Sequence, residues 1–186
     1  MIRITGGALR GRNVPSPPTM KTRPTGSRTR EALFNILQSV DGFRMLDLFA
    51  GSGIMGIEAL SRGASQVVAV EMAHSQARLI LQAYKSLSLE GKLTLYEKNA
   101  LTLEKELICL QSGFDLIYAD PPFKDMDYPD LRSFWQWLNP GGVAVFEAPS
   151  RKLPVWATEE SDAGRLQVRR YGESSLLVHR ASASSC

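Results

Sequence analysis

The stretch Leu46-Asp47-Leu48-Phe49-Ala50-Gly51-Ser52-Gly53 decides the fold class of this 186-residue chain. An apolar run ends there at two glycines, and a helical pattern over residues 53–62 follows. Strand, glycine turn and helix in that order are typical of the first unit of an open α/β sheet. A second segment, Asp120-Pro121-Pro122-Phe123, follows another apolar run. Because such sheets bind ligands at the carboxyl ends of their strands, the two segments are candidates for one site.

The strand–turn–helix pattern repeats along most of the chain. We predict strands at 44–49, 66–70, 93–96, 114–119 and 142–147, and helices at 53–62, 74–88, 100–111 and 128–138. Two further extended segments, 165–171 and 174–180, flank Gly172-Glu173 and predict a terminal antiparallel hairpin. This order predicts an α/β fold of the Rossmann-like methyltransferase type, with a mostly parallel seven-stranded sheet that ends in the hairpin.

The charge distribution divides the chain. Residues 1–44 hold eight basic and two acidic side chains, a net charge of +6 in a chain whose total is +3. We predict a basic arm and first helix over 1–42, a catalytic domain over 43–180 and a frayed tail over 181–186. A basic arm on a mildly acidic body is typical of a protein that binds a polyanion; a solvated tail is the alternative.

The composition favours a cytoplasmic protein. Hydrophobic residues make up 44% of the chain and charged residues 22%, as in ordinary globular proteins. We see neither a secretory signal nor an apolar stretch that could span a membrane. The two cysteines, Cys109 and Cys186, match no zinc or redox spacing, so we expect no structural metal.

The glycine loop and two acidic residues predict a cofactor site. Gly51 and Gly53 let the backbone approach a ligand closely, although a tight turn without a ligand would use them as well. Glu71 ends the next strand, twenty residues after Gly51, where dinucleotide-binding sheets place a carboxylate on ribose hydroxyls. A solvated strand-end glutamate is the alternative. Asp47 lies in an apolar strand, so it needs a partner, which could be backbone N–H groups of the loop or a cofactor amine.

Other residues of the loops complete the predicted cofactor site. Asn99 follows the third strand and could contact an adenine edge, although a helix cap is equally consistent with its position. The predicted cofactor-binding residues are Asp47, Phe49, Ala50, Gly51, Ser52, Gly53, Glu71, Asn99 and Ala100.

The segment Asp120-Pro121-Pro122-Phe123 predicts a site for an exocyclic amine. Consecutive prolines fix the backbone and remove two N–H donors. The Asp120 carboxylate and a backbone carbonyl could then accept both N–H bonds of a nucleobase amine and aim its lone pair at a methyl donor. Phe123 offers a face on which the base can stack. S-Adenosylmethionine (SAM) would serve as the donor, and catalysis would be mainly positioning. A rigid loop exit with a capping aspartate is the alternative.

The chain resembles the RsmD-type family of small-subunit (16S) ribosomal RNA (guanine-N2)-methyltransferases. The resemblance runs from Arg3 to about His179. The glycine loop and the Asp-Pro-Pro-Phe segment are shared by many SAM enzymes, so the arginine motifs make the match specific. These are the two N-terminal motifs Arg3-Ile4-Thr5-Gly6-Gly7 and Arg10-Gly11-Arg12. The resemblance also includes Arg23-Pro24-Thr25, Arg28 and Arg30-Glu31-Ala32-Leu33-Phe34-Asn35. One departure is Asn99, which stands where the family usually has aspartate.

The resemblance implies a SAM cofactor and a guanine of ribosomal RNA, free or in an assembly particle, as substrate. It implies that the arm and first helix contact RNA, through Arg3, Arg10, Arg12, Arg23, Arg28 and Arg30. Two other functions stay open. A DNA adenine-N6 methyltransferase would use the same amine-holding segment, but 186 residues leave no room for a domain that reads base edges. A non-catalytic RNA-binding assembly factor would have no need for the loop, Glu71 and Asp120 together.

Overall fold

The computed structural model describes residues 1–15, 26–102, 113–122 and 128–183. A two-stranded antiparallel ribbon pairs β1 (Ile2–Arg3) with β2 (Asn13–Val14). The strands of a seven-stranded sheet are β3 (Arg44–Leu48), β4 (Gln66–Val70), β5 (Leu93–Tyr96), β6 (Phe114–Ala119), β7 (Leu138–Pro149), β8 (Gln167–Tyr171) and β9 (Ser174–Arg180). The described α-helices are α1 (Ser27–Leu37), α2 (Ile54–Ser61), α3 (His74–Ser86) and α4 (Val155–Asp162), and short 3₁₀ helices span Glu90–Lys92 and Arg132–Trp137.

The strand order β5-β4-β3-β6-β7-β9-β8 confirms the predicted sheet. The five strands β3 to β7 run parallel to one another. Strand β9 is antiparallel to both of its neighbours, β7 and β8. From β3 the chain moves to β4 on one side and returns to β6 on the other. This reversal is the switch point at which open α/β sheets bind ligands.

The register places the predicted loops side by side. Leu48, the last residue of β3, pairs with Val70 on one side and with Ala119 on the other. The next residues along these strands, Phe49, Glu71 and Asp120, therefore start three adjacent loops at one edge of the sheet. The sequence-predicted cofactor loop and amine-holding segment thus lie next to each other.

The structure contradicts the α-helix predicted over residues 128–138. Residues 128–138 form a 3₁₀ helix over Arg132–Trp137, and Leu138 already begins β7. Phe134 and Trp137 contact each other edge to face, with ring centroids 5.0 Å apart, as expected where residues i and i+3 eclipse. Most of the predicted helix over 100–111 lies outside the described residues.

Helix α4 was missed by the sequence prediction. Its buried residues are Trp156, Ala157 and Glu160, so its apolar side chains cluster in the first turn and do not recur at helical spacing. Periodicity therefore gives no signal there. The start signal that was available is Pro154, which directly precedes the helix.

The ribbon and α1 share one core with the sheet. Ile4, Val14 and Leu33 are buried in the same cluster as Met45 of β3 and Val145 of β7. The other face of the sheet packs a second cluster, which contains Phe146 and Trp156. The basic arm is therefore an integral part of the fold in the residues that the structure describes.

A buried carboxylate on α2 fastens the arm. Glu58 is fully buried, and the Thr5 N–H donates to its Oε1 at 2.6 Å. The Arg30 and Arg62 guanidinium groups approach its two oxygens at 3.4 Å each. Arg30 Nη2 also donates to the Arg3 carbonyl at 2.9 Å. One carboxylate thus connects the arm, α1 and α2.

Removal of this carboxylate should destabilise the whole fold. We expect Glu58→Ala to lower the free energy of unfolding by about 3 kcal/mol or more, since it leaves the Arg30 charge buried without its partner. Glu31→Ala on the exposed face of α1 is the matched control and should cost little. Urea denaturation of both variants measures the difference. A Glu58→Ala loss no larger than that of Glu31→Ala would contradict the role of this cluster.

Candidate active site

The loop after β3 turns sharply through left-handed backbone conformations. Phe49, Gly51 and Gly53 have φ values of 59°, 56° and 71°. The two glycines adopt these angles without strain, whereas Phe49 pays a conformational cost. The Gly53 N–H donates to the Ala50 carbonyl at 2.8 Å, and α2 starts at the next residue. The loop therefore delivers the N-terminus of α2 to the carboxyl edge of the sheet.

Close packing of α2 depends on a third glycine. A Cβ atom at Gly56 would lie 2.3 Å from the Tyr84 hydroxyl and 2.8 Å from Val67 Cγ1. At Gly53 it would lie 3.2–3.3 Å from Ile80 and Tyr84. Only residues without side chains allow α2 to approach β4 and α3 this closely, which is the role of the last glycine in dinucleotide-binding turns.

Glu71 holds the glycine loop in place. Its Oε2 accepts the Gly51 N–H at 2.8 Å, and its Oε1 accepts the Ala73 N–H at 2.8 Å. The side chain is half-buried, and each carboxylate oxygen can accept more than one hydrogen bond. Glu71 can therefore stabilise the loop and bind ribose hydroxyls at the same time; the ribose contact stays a prediction.

Asp47 is a buried carboxyl group without a hydrogen bond among the described residues. It is 1% exposed, and both of its oxygens lack a partner at hydrogen-bond distance and angle. Burial raises the pKa of Asp47 to about 8; the Gly56 backbone amide lowers it and the Glu71 charge raises it. A carboxyl group with no partner in the interior is costly unless a ligand supplies one.

Tyr84 carries a second buried polar group, its hydroxyl, without a hydrogen bond in the described residues. Burial and the Asp47 charge raise the pKa of this hydroxyl. The unpaired carboxylate, the open glycine loop and Glu71 together fit SAM, whose ammonium group and ribose need these partners.

Asp120 occupies the adjacent loop beside a second acidic side chain. Pro121 is buried and Pro122 is exposed, while Phe123 lies outside the described residues. Glu147 of β7 is 4% exposed and accepts the Tyr118 hydroxyl at 3.0 Å. The pKa of Tyr128 is raised well above its usual value, by burial first and then by the charges of Asp120 and Glu147. The sequence prediction missed Glu147, Tyr118 and Tyr128 around Asp120.

The loops after β4 and β5 complete the carboxyl edge. Asn99 Oδ1 accepts the Leu101 N–H at 3.0 Å, so its carbonyl fixes the local turn, and Ala100 is buried beside it. The sequence prediction also missed Met72 and Leu101, whose side chains are 68% and 46% exposed. The available signal was an apolar residue directly after Glu71, where a loop residue is ordinarily polar.

The predicted RNA-binding arginines do not form one group. Arg3, Arg10, Arg12 and Arg28 are exposed, and Arg23 lies outside the described residues. Arg30 is 2% exposed and paired with Glu58, so its predicted role as a phosphate ligand is replaced by a structural one. Arg12 Nη2 lies 3.4 Å from the carbonyl of Ser86, the last residue of α3. Because α3 runs back toward the amino edge of the sheet, Arg12 lies away from the glycine loop.

Metal and membrane features are not found in the described residues. No group of three or more His, Cys, Asp or Glu side chains there could hold a metal ion. None of the helices that the structure describes is long and apolar enough to cross a bilayer.

The sheet order and the glycine loop at its switch point are those of the SAM-dependent methyltransferase fold. The structure shares its fold, at a TM-score of 0.67, with a SAM-dependent O-methyltransferase from Thermotoga maritima that is 15% identical; the match covers 89% of this chain and 69% of that one. A hypothetical protein from Thermus thermophilus superposes with a TM-score of 0.78 at 26% identity, over 98% of this chain and all of that one (100%).

The chain belongs to the family described as "Conserved hypothetical protein 95", whose model matches residues 2–180. It is 35% identical to ribosomal RNA small subunit methyltransferase D of Haemophilus influenzae, over 91% of this chain and 93% of that protein. The protein of the same name from Escherichia coli K12 is 37% identical over 66% of this chain and 61% of its own length. The resemblance to the RsmD-type family is confirmed.

The raised pKa of Asp47 predicts a pH-dependent stability. The folded protein keeps this proton up to about pH 8, whereas the unfolded chain releases it near 3.8. The stability that the proton contributes is therefore complete below pH 3.8 and is lost as the pH rises through 8. Asp47→Asn should remove this loss. The free energy of unfolding of the variant, minus that of the wild type, should therefore rise by up to ~1.4 kcal/mol per pH unit between pH 5 and 8.

Denaturant unfolding at pH 5, 6, 7 and 8 measures this difference. Asp41→Asn, at an exposed position, is the matched control for the removal of one carboxyl group. A stability difference between Asp47→Asn and wild type that stays constant over this range would mean that Asp47 is ionised in the folded protein throughout.

Proposed function

We propose that the protein transfers the methyl group of SAM to the exocyclic N2 amine of a guanine in small-subunit (16S) ribosomal RNA. The observation that carries this proposal is the position of Asp120-Pro121-Pro122 directly beside the glycine loop, set by the Leu48–Ala119 register. An amine acceptor next to a methyl-donor site is the arrangement that N-methylation requires.

In this proposal the residues around β3 and β4 bind the cofactor. Asp47 pairs with the ammonium group and stays ionised when that charge is present. Glu71 accepts ribose hydroxyls, and the backbone of Phe49 to Gly53 approaches the cofactor closely. Met72 and Leu101, two exposed apolar side chains, would offer faces for the adenine ring, and Asn99 and Ala100 would meet its edge. When bound, SAM supplies a methyl group that its sulfonium already activates.

The chain's own contribution to chemistry is the orientation of the amine. The lone pair of a guanine amine is delocalised into the ring, which makes the nitrogen a poor nucleophile. The Asp120 carboxylate and the Pro121 carbonyl accept its two N–H bonds and turn the lone pair out of the ring plane. After transfer the nitrogen carries a surplus proton, which Asp120 can accept. Phe123 stacks on the base once it leaves the RNA helix.

The choice of RNA is supported by the named relatives and by the arm. Both relatives reported above carry the name ribosomal RNA small subunit methyltransferase D. Arg3, Arg10, Arg12 and Arg28 are exposed on the arm and α1, where they can bind phosphates; Arg23 belongs to the same proposal. The proposed substrate is ribosomal RNA, either free or in an assembly particle, and it supports the proposal that the protein acts in the cytoplasm.

Labelling identifies the product directly. Purified protein is incubated with methyl-labelled SAM and small ribosomal subunits that lack the modification, and the RNA is digested to nucleosides. We expect label in N2-methylguanosine at one position. Label in adenosine, or in DNA offered in parallel, would overturn the guanine assignment. SAM binding without transfer to any of these substrates would favour a non-catalytic RNA-binding role.

Asp120→Ala separates catalysis from cofactor binding. The variant lacks the carboxylate that orients the amine, so we expect its turnover to fall by about 100-fold or more while its SAM affinity changes less than about threefold. Asp162→Ala, on the exposed end of α4, is the control. Single-turnover methylation and calorimetric SAM titration provide the two values. Equal losses of turnover and SAM affinity would show that Asp120 belongs to the cofactor site.

A further inference from the structure

A buried glutamate lies directly beside Asp120. Ala119 of β6 pairs with Phe146 of β7 in parallel register, so Asp120 and Glu147 are neighbours at the carboxyl edge. Glu147 is 4% exposed. Carboxyl groups are rarely buried unless they have partners, and the proposed function as stated so far gives Glu147 no task.

The hydrogen bonds of Glu147 orient its carboxyl group. The Tyr118 hydroxyl donates to Oε2 at 3.0 Å, and the Tyr128 hydroxyl donates to the Glu147 backbone carbonyl at 2.8 Å. Among the residues that the structure describes, Oε1 makes no hydrogen bond. Tyr128 lies beside Glu147, and burial first, then the charges of Asp120 and Glu147, raise the pKa of its hydroxyl. The two carboxyl groups therefore share one corner of the site, with one oxygen of Glu147 available.

The chemistry of the bases gives such a pair a specific use. In guanine the exocyclic amine lies next to a ring N1–H donor. In adenine and cytosine the neighbouring ring nitrogen carries a lone pair and no hydrogen. An ionised carboxylate only accepts hydrogen bonds, so a carboxylate beside the amine-holding group attracts guanine and repels the other two bases.

We propose that Glu147 selects guanine by accepting the N1–H of the base through Oε1 while Asp120 holds the N2 amine. This assignment rests on the proposed function and names the element that makes its site specific for guanine. Tyr118 is a positioning residue, since it fixes Oε2 and thereby leaves Oε1 to the substrate. A site built to hydrogen-bond a substrate rejects an analogue that lacks the donor far more strongly than an apolar pocket would.

The test uses a base that differs at the proposed contact. 2-Aminopurine keeps the amine at C2 but has a lone pair at N1 and lacks the guanine oxygen. Small subunits are reconstituted with RNA that carries guanine or 2-aminopurine at the nucleotide labelled by the wild-type enzyme. We expect wild-type kcat/KM to favour guanine by about 100-fold or more. Comparable wild-type values for the two bases would overturn the proposal without any variant.

Glu147→Gln replaces the hydrogen-bond acceptor that faces the base with a donor. The Tyr118 hydroxyl can still donate to the amide oxygen, which turns the amide N–H toward the substrate. That N–H opposes the N1–H of guanine but matches the N1 lone pair of 2-aminopurine. We expect kcat/KM for guanine to fall about 100-fold and the preference for guanine over 2-aminopurine to fall to within about tenfold. An equal loss on both bases, with the preference unchanged, would show that Glu147 is only structural and would overturn the proposal.

Two controls distinguish guanine selection by Glu147 from selection by Tyr118 and from misfolding of the variant. Tyr118→Phe keeps the carboxylate, so its activity should fall while guanine is still preferred; loss of the preference in this variant alone would assign selection to Tyr118. Titration with S-adenosylhomocysteine should give Glu147→Gln the wild-type affinity, which verifies that the variant is folded. Absence of N2-methylguanosine with the wild-type enzyme would instead contradict the proposed function itself.

Discussion

The parallel pairing of β3 with β6 is the constraint on which the site depends. Their register, with Leu48 opposite Ala119, ends both strands at the same height. The glycine loop and Asp120 come from segments far apart in the sequence, and only this pairing makes them neighbours. On the other side of β3, the pairing of Leu48 with Val70 of β4 brings Glu71 to the same edge of the sheet. A slip of one residue in either ladder would turn these side chains to the opposite face.

Three buried carboxyl groups lie on one face of this sheet, and their surroundings assign them different tasks. Glu58 meets two guanidinium groups and a backbone N–H, so its charge is balanced within the protein and serves the fold. Asp47 has no hydrogen bond in the described residues, which is costly in the free protein and favourable once a cation binds. Glu147 is intermediate, since one of its oxygens is occupied by Tyr118. The degree of internal pairing therefore separates the structural carboxylate Glu58 from the two carboxyl groups that we propose bind ligands.

The sequence predicted the features that local patterns encode. The seven strands of the sheet, the terminal hairpin and the turn at the glycine loop were predicted correctly because each depends on neighbouring residues, whereas the helix predicted over 128–138 was wrong. The burial of Arg30 and its pairing with Glu58 were not predicted, since the two residues are 28 positions apart and no local pattern shows such a contact. Glu147 was missed for the same reason. It lies in an apolar run, and its neighbours Tyr118 and Asp120 come from the adjacent strand β6 and the loop after it. Helix α4 was missed because its apolar residues lack helical spacing.

Asp47 links the fold to the proposed cofactor site most directly, because it is buried and neither of its oxygens has a hydrogen-bond partner in the described residues. A crystal structure with S-adenosylhomocysteine is the decisive measurement. The account predicts the ammonium group within hydrogen-bond distance of Asp47, the ribose hydroxyls on Glu71 and the sulfur facing Asp120. A cofactor bound elsewhere, or bound at this edge with both Asp47 oxygens still unpaired, would contradict it.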